Sequence, residues 1–235
     1  QEVWTERGSP LAYLSEDLVQ AVAAELQDLD VKCVLAMRYG NPSVSSVLDG
    51  LAQQQVRRLL VVPLYPQYSA TTTASIFDAV SAHYQQRRWI PELRFINEYF
   101  QHDAWIKAMA DHIARHRSQL PKAERLLMSF HGSPRSYFLK GDPYYCQCQA
   151  TARRLAEALG LEEQDYAVTF QSRFGKEEWL QPYTDKTLEQ WGRDGLKRVQ
   201  VVCPGFAVDC LETLEEIAGE NQEIFVEAGG EALDY

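Results

Sequence analysis

The sequence predicts an α/β fold of two similar lobes, each with a parallel sheet. Short apolar runs of strand length alternate with amphipathic segments of ten or more residues. This alternation is typical of βαβ units, in which a helix connects two parallel strands. The same rhythm recurs in the second half, which places the lobes at 1–100 and 101–235. The 235 residues are enough for two cores of ordinary size.

The first half opens on a helix with no strand before it, so we expect the first lobe to be incomplete. This helix is predicted over 17–29, where apolar residues recur at helical spacing and Ser15 is a suitable N-cap. The apolar run 31–37 is predicted to form a buried strand. The alternation then continues with a helix over 43–55, a strand over 58–65, a helix ending near 88, a strand over 93–98 and a helix over 103–118.

The second half repeats this order and places polar residues where its strands end. After residues 224–226 the chain soon stops, and we expect both termini to be truncated. The last clear strand of the chain is predicted over 199–203. Strands are predicted over 126–130, 166–171 and 199–203, and helices over 145–159, 185–193 and 210–221.

Composition narrows the class of protein. A formal net charge of −10 argues against a nucleic-acid partner, because phosphate binding requires a dense basic face. The acidic composition is compatible with a protein that handles cations. No apolar run reaches the roughly eighteen residues of a membrane span, and the start Q-E-V-W is not a signal peptide. Five cysteines, without disulfide-scaffold density, fit a reducing compartment. We therefore expect a cytoplasmic protein.

His131 is the first candidate for a reactive residue. It ends the apolar run L-L-M-S-F-H, and the chain breaks at Gly132 and Pro134. Ligands of open α/β sheets bind beyond the carboxyl ends of strands, where this side chain would be accessible. A lone His at a strand end is more often hydrogen-bonded to a neighbouring loop, so a reactive role requires partners. Candidate partners near other strand ends are Tyr39, Trp179 and Glu212.

Three carboxylates at 209, 212 and 216 share one face of the predicted helix 210–221 and its start. Such a ladder is a reasonable path for a cation. Spacing alone favours another role, in which Asp209 caps the helix and Glu212 completes a capping box. The two roles are compatible, because a cation near the positive end of a helix dipole requires carboxylates.

No nucleotide-binding or hydrolase motif accompanies these residues. The chain lacks G-x-x-x-x-G-K, G-x-G-x-x-G and G-x-S-x-G, and no two His share metal-ligand spacing on a helix. Ser133 is too close to His131 in sequence to form a hydrolytic pair. For Trp179, which follows a strand, packing is the commoner role. The residues alone therefore indicate an acidic α/β enzyme without a nucleotide loop.

Seven motifs occur in order along nearly the whole chain: G-S-P-L at 8–11, V-P-L-Y-P-Q-Y-S at 62–69, S-F-H-G-S-P at 129–134, G-D-P-Y at 141–144, T-F-Q-S-R-F-G at 169–175, W-L-x-P-Y-T-D at 179–185 and P-G-F-A-x-D-C-L-E-T-L-E-E-I at 204–217. This set resembles the ferrochelatase family, in the form found in Gram-negative bacteria. The resemblance implies two Rossmann-like lobes in the chelatase-like fold, enclosing a porphyrin cleft. It also implies a lyase of haem biosynthesis that inserts Fe2+ into protoporphyrin IX and releases two protons.

The resemblance assigns roles to individual residues. His131 and Glu212 match the pair that handles the metal ion or the protons, on opposite sides of the macrocycle. An imidazole can remove pyrrole protons near neutral pH, and Fe2+ accepts imidazole and carboxylate ligands. Iron is then a substrate. The residues matched to porphyrin binding are Arg38, Tyr39, Ser69 and Trp179.

Two departures from the family pattern limit what is expected. Relatives begin with a strand, a Leu-Gly-Thr-Pro-like loop and an apolar lip at the porphyrin entrance, and this chain has none of them. Some relatives bind an iron–sulfur cluster, but Cys146 and Cys148 cannot supply four ligands. We therefore expect no cluster and no other resident cofactor.

Two alternatives stay open at this point. One is a non-catalytic module that binds a tetrapyrrole or a metal ion. The other is a chelatase that uses coproporphyrin or a cobalt-accepting tetrapyrrole, since such enzymes share the fold and a base His. The sequence also leaves open peripheral membrane association and the oligomeric state.

Overall fold

A computed structural model describes residues 3–235. Gln1 and Glu2, which begin the segment inspected for a signal peptide, lie outside the described residues. The chain divides into two compact units, the first ending at Glu98 and the second comprising Tyr99–Tyr235. Each unit contains parallel strands and helices, so the predicted α/β class is confirmed. The boundary expected from the sequence, residue 100, lies beside this division.

The first unit combines helices with a two-stranded parallel sheet. Within the sheet, Leu59 is paired with Leu93. Buried side chains of two helices pack together with these strands: Leu48, Leu51, Val80 and Tyr84. The elements are α1 (Pro10–Glu25), α2 (Val44–Gln53), β1 (Arg58–Val61), α3 (Thr73–Gln85) and β2 (Glu92–Phe95).

The predicted start of the first helix is wrong. α1 begins at Pro10, directly after Ser9, instead of near residue 17. Proline suits the first helical position because its φ is already helical and its missing N–H would have no intrahelical acceptor there. Ser15 is consequently a buried residue inside α1 and not its N-cap.

The strand predicted over 31–37 is also wrong. The segment is not paired in either sheet, and Val31 is 55% exposed. Its backbone bonds are local, because the N–H of Val31 donates to Leu29 and that of Met37 donates to Pro42. An apolar run without a neighbouring strand remains an extended loop.

The second unit contains a four-stranded parallel sheet in the order β4 (Tyr166–Gln171), β3 (Arg125–His131), β5 (Arg198–Val202) and β6 (Ala232–Asp234). Four short elements were not predicted, so the strand near 199–203 is not the last: helices over 135–139 and 222–227, a 3-10 helix over 163–165 and a strand over 232–234. The elements are α4 (Asp103–Ser118), β3 (Arg125–His131), α5 (Arg135–Leu139), α6 (Tyr144–Leu159), β4 (Tyr166–Gln171), α7 (Thr184–Arg193), β5 (Arg198–Val202), a π-helix (Glu212–Asn221), α8 (Gln222–Glu227) and β6 (Ala232–Asp234).

Strand β3 is the centre of the core, because helices cover both faces of its sheet. Leu126, Met128 and Phe130 belong to a cluster with α4 and α6. Leu127 belongs to a second cluster with α7, the π-helix and α8. Successive side chains of a strand point to opposite faces, so a continuous apolar run is needed when both faces are buried. This burial fixes the position at which β3 ends, and therefore the position of His131.

The helix predicted over 210–221 has π-helical hydrogen bonding over Glu212–Asn221. Side-chain donors bind two of its carbonyl groups. Gln171 Nε2 donates to Glu212 at 2.7 Å, and Asn221 Nδ2 donates to Glu216 at 2.8 Å. Inserted side chains of this kind interrupt the regular α-helical ladder, and π-helical turns are frequent at functional sites.

Candidate functional site

The carboxyl ends of three parallel strands come together at one edge of the second sheet. His131 is the last residue of β3 and is paired with Gln171, the last residue of β4. β5 ends at Val202, and the Sγ atom of the next residue, Cys203, lies 3.4 Å from Gln171 Oε1. Ligands of parallel sheets bind at this edge. His131 therefore lies at the edge of the sheet where a reactive residue is expected.

The half-buried His131 ring has one nitrogen engaged by its own loop. Its Nδ1 lies 2.7 Å from the carbonyl oxygen of Gly132, which can only accept, so Nδ1 carries the proton of the neutral ring. Nε2 then holds the lone pair that can take a proton or bind a metal ion. The Tyr144 hydroxyl donates to the His131 carbonyl at 2.9 Å, and the Phe206 ring lies 6.4 Å from the imidazole between centroids.

Gln171 connects the His131 strand to Glu212. Its backbone carbonyl accepts the N–H of Gly132 at 2.7 Å, and its side-chain Nε2 donates to the Glu212 carbonyl at 2.7 Å. Gln171 thus links the end of the His131 strand to the backbone of Glu212. Glu212 is half-buried and begins the π-helix.

The predicted capping role of Asp209 is wrong. The N-cap residue of the π-helix is Leu211, and Asp209 lies two residues before it. Asp209 Oδ1 instead accepts hydrogen bonds from the hydroxyls of Thr213 at 2.9 Å and Tyr235 at 2.7 Å. Both hydroxyls bind the same carboxylate oxygen, so Asp209 links the π-helix to the residue after β6.

The other two carboxylates of the predicted ladder differ in their partners. Glu216 accepts the N–H of Ser172 at 2.6 Å and also its hydroxyl. Ser172 has a φ of 63°, which is unfavourable for a residue with a Cβ, and these bonds hold it there.

Glu212 lies beside the Cys210 thiol. Burial, and then a hydrogen bond to Glu212, raise the pKa of that thiol to about 12. Glu212 is therefore beside a neutral thiol, whereas Glu216 is engaged by the loop after β4.

Trp179 is buried beside the residue that follows His131. A Cβ atom added at Gly132 would lie 3.0 Å from the Trp179 ring. The Phe174 ring lies 4.8 Å from the Trp179 ring between centroids and is 74% exposed. Trp179 Nε1 is buried and has no hydrogen-bond partner among the described residues. The ring therefore packs against the strand end, and Phe174 extends this aromatic surface to solvent.

Arg38 and Tyr39 form a separate cluster in the first unit, at the start of α3. Arg38 Nε donates to the carbonyl and the hydroxyl of Ser75 at 2.8 and 2.9 Å. The Tyr39 hydroxyl lies 3.2 Å from the same hydroxyl, and the guanidinium lies 4.6 Å from the Tyr39 ring centroid. Ser69 is buried in the loop before α3, where its hydroxyl lies 3.0 Å from Thr71 Oγ1. Tyr39 is 73% exposed.

Three residues that contact the site were not predicted from the sequence: Tyr144, Gln171 and Phe206. Each belongs to one of the seven motifs, at 141–144, 169–175 and 204–217. Their membership of these motifs is the sequence feature that could have identified them as site residues. Their contacts with His131 and Glu212 depend on strand register and loop geometry, which residue spacing does not reveal.

Cysteine reactivity gives a test of this packing. Burial raises the pKa of the Cys148 and Cys203 thiols well above the usual range, and that of Cys210 to about 12, whereas Cys146 is exposed. Because the thiolate is the nucleophile, we expect iodoacetamide at about pH 8 to modify Cys146 first and the three buried thiols only after unfolding. Peptide mass spectrometry measures this order. Equal labelling of Cys203 and Cys146 in the folded chain would contradict the packing.

Comparison with known proteins identifies the family. The ferrochelatase family model matches residues 1–235, which is the whole chain. The chain belongs to the ferrochelatase family. Two similar ferrochelatases are those of Idiomarina loihiensis, 52% identical over 236 residues, and Hydrogenovibrio crunogenus, 54% identical over 241 residues. These alignments cover 99% and 100% of this chain and 65% and 64% of the relatives, so the chain spans just under two thirds of their length. The family resemblance of the motifs is confirmed.

Among solved structures, the fold of this ferrochelatase-family chain is similar to that of SirB from Bacillus subtilis with Fe3+. The TM-score is 0.65 at 13% identity, and the match covers 97% of this chain and 83% of SirB. Within residues 3–235, no three His, Cys, Asp or Glu side chains are grouped so that they could hold a metal ion. No helix in the same range combines the length and apolar character needed to cross a bilayer.

Proposed function

We propose that this chain carries the active site of a ferrochelatase that inserts Fe2+ into protoporphyrin IX and forms protohaem in haem biosynthesis. The observation that carries the proposal is the match of the ferrochelatase model to residues 1–235. The grouping of His131 and Glu212 around Gln171 supports it, because these two side chains have the chemistry that metal insertion requires.

The reaction exchanges two protons for one metal ion. Two pyrrole N–H bonds break and their protons pass to a base and then to solvent. Fe2+ loses its water ligands and binds the four nitrogens of the resulting dianion. No electron is transferred, so iron remains Fe2+. The protein therefore has to supply a proton acceptor and a ligand that holds the dehydrating ion.

His131 is the proposed proton acceptor, and His131 and Glu212 together are the proposed metal-handling pair. The Nδ1 contact with Gly132 leaves Nε2 as the basic nitrogen of the neutral ring. The Glu212 carboxylate suits Fe2+ because carboxylate oxygen replaces water and offsets positive charge. Gln171 hydrogen-bonds to the backbone of both segments, at Gly132 and at Glu212.

Arg38, Tyr39, Ser69 and Trp179 are the proposed contacts of the porphyrin. Aromatic rings such as those of Tyr39 and Trp179 suit a flat apolar macrocycle. A guanidinium suits the carboxylates of its propionate groups, and Ser75 holds Nε of Arg38 in place. A buried aromatic ring such as that of Trp179 would also favour a bent macrocycle, which exposes the nitrogen lone pairs.

Iron is a substrate in this proposal, and no resident cofactor is assigned. Protoporphyrin IX and Fe2+ are the proposed partners, and the cytoplasm is the proposed location. On α6, Cys146 is exposed and Cys148 is buried, so the two thiols do not form one open ligand pair. We expect the purified chain to contain no iron–sulfur cluster, and iron and acid-labile sulfide analysis tests this expectation.

Anaerobic incubation of the chain with protoporphyrin IX and Fe2+, or Zn2+ as a surrogate, tests the proposal by absorbance. Coproporphyrin and sirohydrochlorin are compared in parallel, and the Idiomarina loihiensis ferrochelatase is the positive control. Metalloporphyrin formation above the uncatalysed rate supports a chelatase, and the fastest tetrapyrrole identifies its substrate. Tight porphyrin or metal binding without insertion would indicate a binding module instead. The absence of both metal insertion and porphyrin binding would contradict the proposed ferrochelatase function.

A further inference from the structure

Gln171 is a buried polar residue at the centre of the candidate site, with a side chain only 3% exposed. Its Oε1 atom accepts the Ser129 hydroxyl at 2.7 Å and lies 3.4 Å from Cys203 Sγ. Its Nε2 atom donates to the Glu212 carbonyl at 2.7 Å. One side chain therefore contacts β3, the end of β5 and the start of the π-helix.

The orientation of this amide is determined by its partners. The Glu212 carbonyl can only accept a hydrogen bond, so the NH₂ group of Gln171 has to face it. The Ser129 hydroxyl then donates to the amide oxygen on the other side. A buried amide whose oxygen and nitrogen are both satisfied has a single low-energy orientation.

The backbone of the same residue supports His131. The Gln171 carbonyl accepts the N–H of Gly132, and the carbonyl of Gly132 in turn holds His131 Nδ1. The main chain of Gln171 thus fixes the loop that orients the imidazole, while its side chain fixes the backbone that carries the Glu212 carboxylate.

We infer that Gln171 is a positioning residue that sets the spacing between His131 and Glu212 for metal insertion. This inference rests on the proposed function. Outer residues that orient metal-binding groups typically change activity by about 10- to 100-fold when they are altered, even though they do not touch the metal ion. Gln171 donates a hydrogen bond to the Glu212 carbonyl, so loss of that donor should affect turnover more than porphyrin binding.

Two isosteric variants separate hydrogen bonding from packing. Gln171→Met keeps the length of the side chain and removes both polar groups. Gln171→Glu keeps the oxygen acceptor and replaces the donor with an oxygen facing the Glu212 carbonyl. The matched control is Gln200→Met, because Gln200 is also 3% exposed and lies in the same sheet, and its Oε1 has no hydrogen-bond partner within residues 3–235. Gln200 is paired with Leu126, away from the His131 end of β3.

The expected result for both Gln171 variants is a fall in kcat of about 10- to 100-fold, with the porphyrin KM changed less than about threefold. Gln200→Met should retain wild-type kcat. Hydrogen–deuterium exchange of the peptide covering 212–221, measured without substrate, should become faster in Gln171→Met and remain unchanged in Gln200→Met.

Each outcome is decisive. Unchanged exchange in the Gln171 variants would overturn the inference, whatever their activity. Faster exchange with unchanged kcat would also overturn it, because the Glu212 backbone would then have no influence on turnover. If the wild-type chain does not insert metal, the proposed function fails, and faster exchange would still show that Gln171 holds the start of the π-helix.

Discussion

His131→Ala is expected to lower kcat for metalloporphyrin formation by about 10²- to 10⁴-fold, the usual contribution of a positioned base or acid. The substitution removes Nε2, the ring nitrogen left available by the Nδ1 contact with Gly132. The side chain is half-buried at the end of β3, and its backbone bonds to Gln171 and Tyr144 involve main-chain atoms that alanine retains. The fold should therefore survive. Steady-state insertion of Zn2+ into protoporphyrin IX measures the loss.

The matched control is His112→Ala. His112 is exposed on α4, so its removal should leave both activity and stability close to wild type. Circular dichroism and thermal unfolding establish that the His131 variant is folded. Wild-type turnover in a folded His131→Ala chain would contradict the assignment of His131 as the proton acceptor.

Gly132→Ala should have the largest structural effect of any single methyl addition at the site. The new Cβ atom would lie 2.7 Å from the Gln171 carbonyl oxygen and 3.0 Å from the Trp179 ring. Neither the β4 backbone nor the buried indole can move freely, so the strand end has to shift. Overpacking of this kind destabilises by about 1–3 kcal/mol. The shift would also displace the loop that holds His131 Nδ1, so insertion should fall as well.

Gly50→Ala is the matched control for that change. Gly50 lies within α2, and an added Cβ atom there has no neighbour within 4 Å. Alanine is the better helix former, so this variant should gain about 0.5–1 kcal/mol. Urea unfolding with a comparison of m-values measures both variants. A Gly132→Ala chain as stable as wild type would show that the strand end is more adaptable than its contacts indicate.

The second sheet could be predicted because both of its faces are buried. The β3 run supplies Leu126 and Met128 to one cluster and Leu127 to the other, which requires the unbroken apolar sequence seen there. Segment 31–37 has a similar composition and yet is an exposed loop. Composition reports how apolar a segment is, but pairing depends on a neighbouring strand that lies elsewhere in the sequence.

The candidate site was only partly predictable for the same reason. His131 could be found because it ends a strand-like run just before Gly132. The hydrogen bond from Gln171 reaches Glu212, 41 residues later in the chain, and no spacing rule connects them. Regular helical spacing over 210–221 also gave no sign of π-helical bonding, which accompanies side-chain donors from Gln171 and Asn221.

The central claim is that His131 and Glu212 act as one unit in metal insertion. A double-mutant cycle of Zn2+ insertion kinetics tests it most directly, with His131→Ala, Glu212→Gln and the combined variant compared with wild type. Residues that serve one step are strongly non-additive, so we predict that the combined variant loses about as much kcat as the more damaging single variant. A combined loss equal to the product of the two single losses would contradict the claim.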